Sequence, residues 1–228
     1  EIIMDLKRGV RKRCTEESSL FKNQKINLLK NCIDTDLFRP VNKEIARNFF
    51  KIPTKKNVVL FSAMNSLSDT RKGAKELFEA INMVSVSNTI FVISGSSRPP
   101  SISKFKYPVY FIHPLKDEEA LALMYNVANV MVVPSLQENL ANSIAESLSC
   151  GVPVVAFNIG GNPDMIEHKS NGYLAKEMDC EDLSKGINWS LENENNKQLS
   201  VNARNKMLNE FDSKVVSRDH IKLYEKLV

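Results

Sequence analysis

Lys72, Glu138 and Glu146 are the side chains whose types and positions permit chemistry on an anionic, hydroxylated substrate. Lys72 follows Arg71 and precedes Gly73 in Asp69-Thr-Arg-Lys-Gly73, two adjacent cations at the start of an expected helix. A helix start presents free N–H groups and the positive end of its dipole, so phosphate is favoured there. Arg71 or Lys72 can add charge-assisted hydrogen bonds. An exposed loop with ordinary surface charge fits the same residues. Glu138 lies in the polar stretch Pro134 to Asn142, and Glu146 follows two turns later inside the next expected helix. An ionised carboxylate accepts two bonds from vicinal hydroxyls, so two of them flanking a helix start can grip two hydroxylated rings. Taken singly, Glu146 is a solvated helix residue and Glu138 a partner for the helix dipole. The spacing alone decides nothing.

These side chains need a frame that brings separate loops together. Five short apolar runs supply it: Asn57 to Ser62, Thr89 to Ser94, Val109 to Ile112, Val130 to Val133 and Pro153 to Phe157, with a weaker run from Gly172 to Ala175. They are apolar throughout instead of alternating, as strands covered on both faces are. Helical patterns lie between them. Gly73 to Val84 carries Leu77, Phe78 and Ile81 on one side, Asp117 to Asn126 opens on an acidic turn, and Ala141 to Ser149 stops at Gly151. This alternation predicts right-handed βαβ units and an α/β chain with a doubly wound parallel sheet. Ligands of such sheets bind beyond the carboxyl ends of the strands, where strand order reverses. The loops Ala63 to Gly73, Gly95 to Ser97, His113 to Lys116, Pro134 to Asn142 and Asn158 to Gly161 are therefore expected on one edge. The tail from Asp179 reads as helical, with Trp189 in the core and Ile221, Tyr224 and Leu227 on one stripe. The opening differs. Residues 5–20 read as a basic helix, Ile26 to Leu29 as the last strand of a preceding unit, and Asp34 to Pro40 as a linker.

Composition narrows the function classes. Of 228 residues, 43% are hydrophobic and 25% charged, enough for a real core and wrong for a disordered chain. The chain begins at Glu1 with no initiator Met and no signal-like apolar stretch, and reads as starting inside a longer protein. Residues 1–30 carry eight basic and four acidic side chains; the other 198 residues balance, so the whole net charge of +4 sits at the front. A nucleic-acid binder would spread a basic stripe over its folded body, and none is expected here. The cluster Lys7 to Arg13 leaves open a peripheral contact with anionic lipid, against the blander reading of a solvated helix face. Cys14, Cys32, Cys150 and Cys180 are scattered with no C-x-x-C pair. Reduced thiols in a cytoplasmic setting are expected, with no zinc site or disulfide framework. A thiol nucleophile at Cys14 or Cys150 lacks a nearby His. No G-x-G-x-x-G opens a helix after a strand, which disfavours a nicotinamide dehydrogenase.

Pro134-Ser-Leu-Gln-Glu138, seven residues, Glu146, then Cys150-Gly-Val-Pro-Val-Val155 and Gly160-Gly161-Asn-Pro-Asp164 resemble, in that order, the signature of family 4 of the retaining glycosyltransferases. Asn31 to Pro40 is similar to that family's interdomain segment, so the likeness covers roughly residues 15–228. The resemblance implies the Rossmann-like C-terminal half of a GT-B fold: residues 1–37 as the tail of an acceptor domain plus linker, and 38–228 as a nucleotide-sugar-binding domain with a C-terminal crossing helix. It implies Glu146 on the donor's ribose, Glu138 on the transferred sugar, Lys72 on the diphosphate, and the segment Leu140, Ala141 and Asn142 on phosphates or sugar. It points to Pro114 and Leu115 against the nucleobase; Gly95, in the loop after Thr89 to Ser94, is a further candidate for substrate binding. The usual Gly-Arg after the first strand reads Ala63-Met64 here, leaving Arg71 as the substitute cation. The usual E-G-F-G reads Glu138-Asn-Leu-Ala141. Similar departures mark bacterial polysaccharide and O-antigen transferases.

The reaction that this resemblance implies is transfer from a UDP- or GDP-sugar to a glycan or lipid-linked acceptor, with retention and without metal or other cofactor. Asp34-Thr-Asp36 formally matches a D-x-D metal motif but lies in the linker. Two other readings stay open: a sugar-nucleotide epimerase of the same fold, and a binding-only module.

Overall fold

Period two decides the architecture. In a computed structural model, which describes residues 2–4, 17–20, 23, 26–62, 69–95, 106–192 and 196–226, the front strands β1 (Ile2–Met4) and β2 (Ile26–Leu28) pair in parallel. The main sheet comprises β3 (Asn57–Ser62), β4 (Thr89–Ser94), β5 (Val109–Ile112), β6 (Val130–Val133), β7 (Val154–Phe157) and β8 (Gly172–Ala175). It runs β5-β4-β3-β6-β7-β8, all pairs parallel. Even-numbered residues of the central strands (Val58, Leu60, Ile90, Val92) face one core, and their odd-numbered neighbours (Val59, Phe61, Phe91, Ile93) face the other. Both sides are therefore covered, which is why the runs are unbroken in hydrophobicity.

The helices are α1 (Lys43–Phe49), α2 (Ala74–Met83), α3 (Glu118–Tyr125), α4 (Asn142–Ser149), α5 (Asn162–Met165), α6 (Cys180–Glu192), α7 (Asn196–Glu210) and α8 (Ser213–Glu225). Leu77 and Ile81 of α2 share one core with Leu183 and Ile187 of α6. Met124 of α3, Ile144 and Leu148 of α4 and Ala203 of α7 share the other. Asp117 caps α3 by accepting from the Ala120 amide, as its place before the acidic turn predicts. The expected doubly wound sheet is the observed one, and its order reverses between β3 and β6.

The segment read as a linker lies against the last two helices. Ile33 and Phe38 are buried, the Ile33 amide bonds the Phe211 carbonyl, and Thr35 donates to the Asp212 carboxylate. Arg204 of α7 holds the segment most firmly, donating to the carbonyls of Thr35, Phe38 and Ser149 at 2.7–2.9 Å. Arg204→Met strips three carbonyls of a charged donor at once. We expect a loss of about 2–3 kcal/mol, read as a lower urea midpoint with an unchanged m-value.

Three expectations meet a different outcome or none. The stripe on α8 faces solvent: Ile221 and Tyr224 are 55% and 50% exposed while Val216 is buried, because the start of α8 is pinned at Asp212 and the rest runs off the body. Leu227 lies outside the described residues. Trp189 is half-buried, its ring beside Tyr173 at 5.9 Å, so it closes the edge of the sheet rather than filling the core. The basic helix over 5–20 and the Lys7 to Arg13 cluster fall almost wholly outside the described residues.

Candidate functional site

Lys72 follows β3 and Glu138 follows β6, and these two strands are neighbours at the reversal of strand order. Their loops meet there. Asp69 caps a short 3-10 turn, Thr70–Lys72, and Gly73 ends it at φ 70°. The turn is locked to the second loop, since the Leu136 amide donates to the Arg71 carbonyl at 2.8 Å. The result is an ion pair: Lys72 Nζ lies 3.0 Å from Glu138 Oε2, both side chains partly buried. Arg71 points away. Its guanidinium forks onto Asp69 at 3.0 and 2.8 Å and its side chain is 67% exposed. That hydrogen bonding holds the Asp69 carboxyl below its ordinary range. Arg71 is thus ion-paired to Asp69 and Lys72 to Glu138.

The second loop continues into α4. Leu140 and Ala141 are buried, Asn142 is exposed, and the helix opens with no side-chain cap, Ala141 standing at the N-cap. An uncapped start offers its first N–H groups to a ligand. The loop after β7 braces this stretch, as the Gly161 amide donates to the Asn139 carbonyl at 2.8 Å.

Glu146 sits one and a half turns into α4. Tyr125, the last residue of α3 and 2% exposed, donates its hydroxyl to Glu146 Oε2 at 2.6 Å. Burial pushes the Glu146 carboxyl above its usual range; the Tyr125 bond opposes this, and the charge of Glu118 adds to it. Burial first, then Glu146, drives the Tyr125 hydroxyl well above its own range, so it remains a donor. Leu140, Asn142, Ala145 and Glu146 line one wall of a hollow of about 450 Å³, with Lys30 to Ile33 and the α8 residues Val216 and His220 opposite.

The remaining expected residues lie elsewhere. Gly95 ends β4 at φ 87° and donates to the Ile112 carbonyl. Pro114 is exposed, and Leu115 packs against the core under α3 and α4. All three follow β4 or β5, on the far side of β3, and none lines the hollow. Ala63 and Met64 lie outside the described residues, as does Cys14. Cys150 is buried with its thiol pushed up to about 12, which leaves it unreactive. No group of three metal-binding side chains occurs among the described residues.

Tyr125 escaped the sequence reading. It belongs to an apolar helical stripe 21 positions from its partner, and no spacing rule connects the two. Only the packing of α3 beside α4 does.

The family model for glycosyl transferases group 1 matches residues 42–206, a span that runs from α1 through β3, the Lys72–Glu138 pair, Glu146 and most of α7. The chain is 26% identical over 159 residues to N,N'-diacetylbacillosaminyl-diphospho-undecaprenol alpha-1,3-N-acetylgalactosaminyltransferase of Campylobacter jejuni, covering 69% of this chain and 42% of that protein. It is 27% identical over 205 residues to UDP-Gal:alpha-D-GlcNAc-diphosphoundecaprenol alpha-1,3-galactosyltransferase of Escherichia coli, covering 82% and 51%. The chain thus spans about half the length of the curated relatives it matches. Among solved structures, sucrose-phosphate synthase from Thermosynechococcus elongatus superposes with a TM-score of 0.81 at 24% identity, over 99% of this chain and 57% of that one. That likeness concerns the fold. Motif order, strand order and the family match, which takes in well over half the chain, agree: the chain belongs to the group 1 glycosyltransferases.

Proposed function

We propose that this chain is the donor-binding half of a glycosyltransferase that moves a sugar, with retention, from a UDP- or GDP-sugar to a glycan or lipid-linked acceptor. The observation that carries the reading is the Lys72–Glu138 pair at 3.0 Å, set at the reversal of strand order beside the uncapped start of α4. A diphosphate arriving at the helix start competes with Glu138 for the Lys72 cation. Lys72 and the N–H groups at Leu140, Ala141 and Asn142 then stabilise charge on the departing diphosphate, Glu138 meets the transferred sugar, and Glu146 takes the ribose hydroxyls. Pro114 and Leu115, on the loop after β5 and outside the hollow beside Glu146, are assigned to the base, and Gly95 is a further contact with the sugar donor. Positioning does most of the work.

On this reading residues 1–37 close a preceding acceptor domain and 38–228 form the nucleotide-sugar domain, so this chain binds nucleotide without transferring sugar. The Campylobacter jejuni and Escherichia coli relatives carry undecaprenol-linked substrates in their names. A lipid-linked acceptor places the work at a cytoplasmic membrane face, although no described helix is long and apolar enough to cross a bilayer.

Thermal unfolding against UDP, GDP and ADP tests the reading. A nucleotide at a hundredfold excess over its Kd adds about 2.7 kcal/mol, roughly a 5–10 °C rise in Tm for a chain of this size. We expect one nucleotide to give it, and Glu146→Ala to abolish it at the same concentration. A chain whose Tm ignores all three nucleotides has no such site, and measurable sugar transfer by residues 1–228 alone would refute the division of labour.

A further inference from the structure

We propose that Tyr125 is a positioning residue for nucleotide binding: it fixes the Glu146 carboxylate and keeps it ionised for hydroxyl recognition. The inference rests on the reading of Glu146 given above. Its own support is geometric. The hydroxyl donates to Glu146 Oε2 at 2.6 Å from a ring that is almost fully buried. The ring cannot swing away, because Phe38 packs edge-on against it at 6.2 Å, and the Phe38 carbonyl is gripped by Arg204 at 2.7 Å. Tyr125 therefore ties the carboxylate to the segment leading in from the front of the chain.

A carboxylate half-buried in a hollow needs this. Burial and the neighbouring Glu118 both favour its protonated form, and a protonated carboxyl surrenders the paired acceptors that vicinal hydroxyls require. The Tyr125 hydroxyl is the donor from α3 that offsets them. Other charged or titratable groups facing Glu146 are Cys150 at the end of α4, whose thiol burial keeps protonated, and Lys30, Cys32 and His220 across the hollow.

Tyr125→Phe keeps the ring and removes one oxygen. UDP and, in parallel, GDP are titrated against the wild-type chain and the variant from pH 5.5 to pH 8, and no binding of either to the wild-type chain overturns the proposal. If Tyr125 holds Glu146 ionised, affinity falls about two- to threefold at pH 8 and the deficit widens to roughly tenfold at pH 5.5. Protonation of the nucleotide's own phosphate cancels in the comparison, and the widening persists in a His220→Gln background. A role confined to packing lowers affinity by one factor at every pH, and that result overturns the proposal. Phe38→Leu supplies the contrast, since it loosens the ring's support while leaving the hydroxyl, and should lower Tm with little change in the pH dependence. Glu146→Gln separates the two levels of the argument. Wild-type affinity in that variant overturns the role of Glu146 itself, and with it this proposal; weakened binding in Glu146→Gln with a pH-independent deficit in Tyr125→Phe overturns Tyr125 alone.

Discussion

Gly73→Ala should lower the stability of the chain by about 4–5 kcal/mol, a drop of roughly 10–15 °C in Tm. Gly73 sits at φ 70°, where any L side chain pays about 1–2 kcal/mol. The larger part comes from its neighbour. A Cβ built on Gly73 would lie 1.8 Å from the Pro134 carbonyl oxygen, a backbone atom that cannot rotate aside. To admit the methyl, the turn carrying Lys72 and the loop carrying Glu138 must separate, breaking the Leu136 to Arg71 hydrogen bond between them. Gly151→Ala is the matched comparison. Gly151 has φ 69°, but its Cβ would meet the Ser200 Oγ at 2.8 Å, the end of a side chain that can turn away. The difference between the two variants isolates the contact with Pro134. If Gly73→Ala costs no more than Gly151→Ala, the two loops are not locked as described. The same substitution should also erase the nucleotide-induced rise in Tm, because it acts between the two loops that would bind.

That contact shows what a sequence can and cannot disclose about this site. The strand limits were legible: five of the six main-sheet strands fall on the residues expected and the sixth starts one residue later, because a strand sheathed on both faces must be apolar at every position. That the loops after β3 and β6 share an edge was also legible, since every strand of a parallel sheet points the same way. Their direct adjacency was not. Lys72 and Glu138 are 66 residues apart, and only the order in which β3 and β6 sit side by side makes them a pair. Tyr125 was hidden for a related reason: helical periodicity marks a residue as buried without saying which polar group the buried hydroxyl meets. The stripe on α8 failed in the opposite direction. Ile221 and Tyr224 have the period of a packed face, but period describes the helix alone, and in this chain nothing among the described residues covers them.

Lys72 and Glu138 should respond to substitution with opposite signs, which no simple surface ion pair would do. On the proposed reading an arriving diphosphate competes with Glu138 for Lys72. Lys72→Met removes a charge-assisted donor worth about 1.5–3 kcal/mol, so nucleoside diphosphate affinity should fall roughly 10- to 100-fold. Glu138→Gln removes both the competitor for Lys72 and a negative charge beside the incoming phosphates, so affinity should rise by about three- to tenfold. Both effects should shrink as salt is added, though only in part, because charges in a partly buried site are screened less than exposed ones. In the double variant the gain from Glu138→Gln should largely vanish, since the cation it would have released is gone; that non-additivity marks residues acting on one ligand. Isothermal titration of the four proteins with one nucleotide reads all of this. Weaker binding in Glu138→Gln, or equal binding in Lys72→Met, would mean that the ion pair staples two loops together and that the diphosphate is held elsewhere.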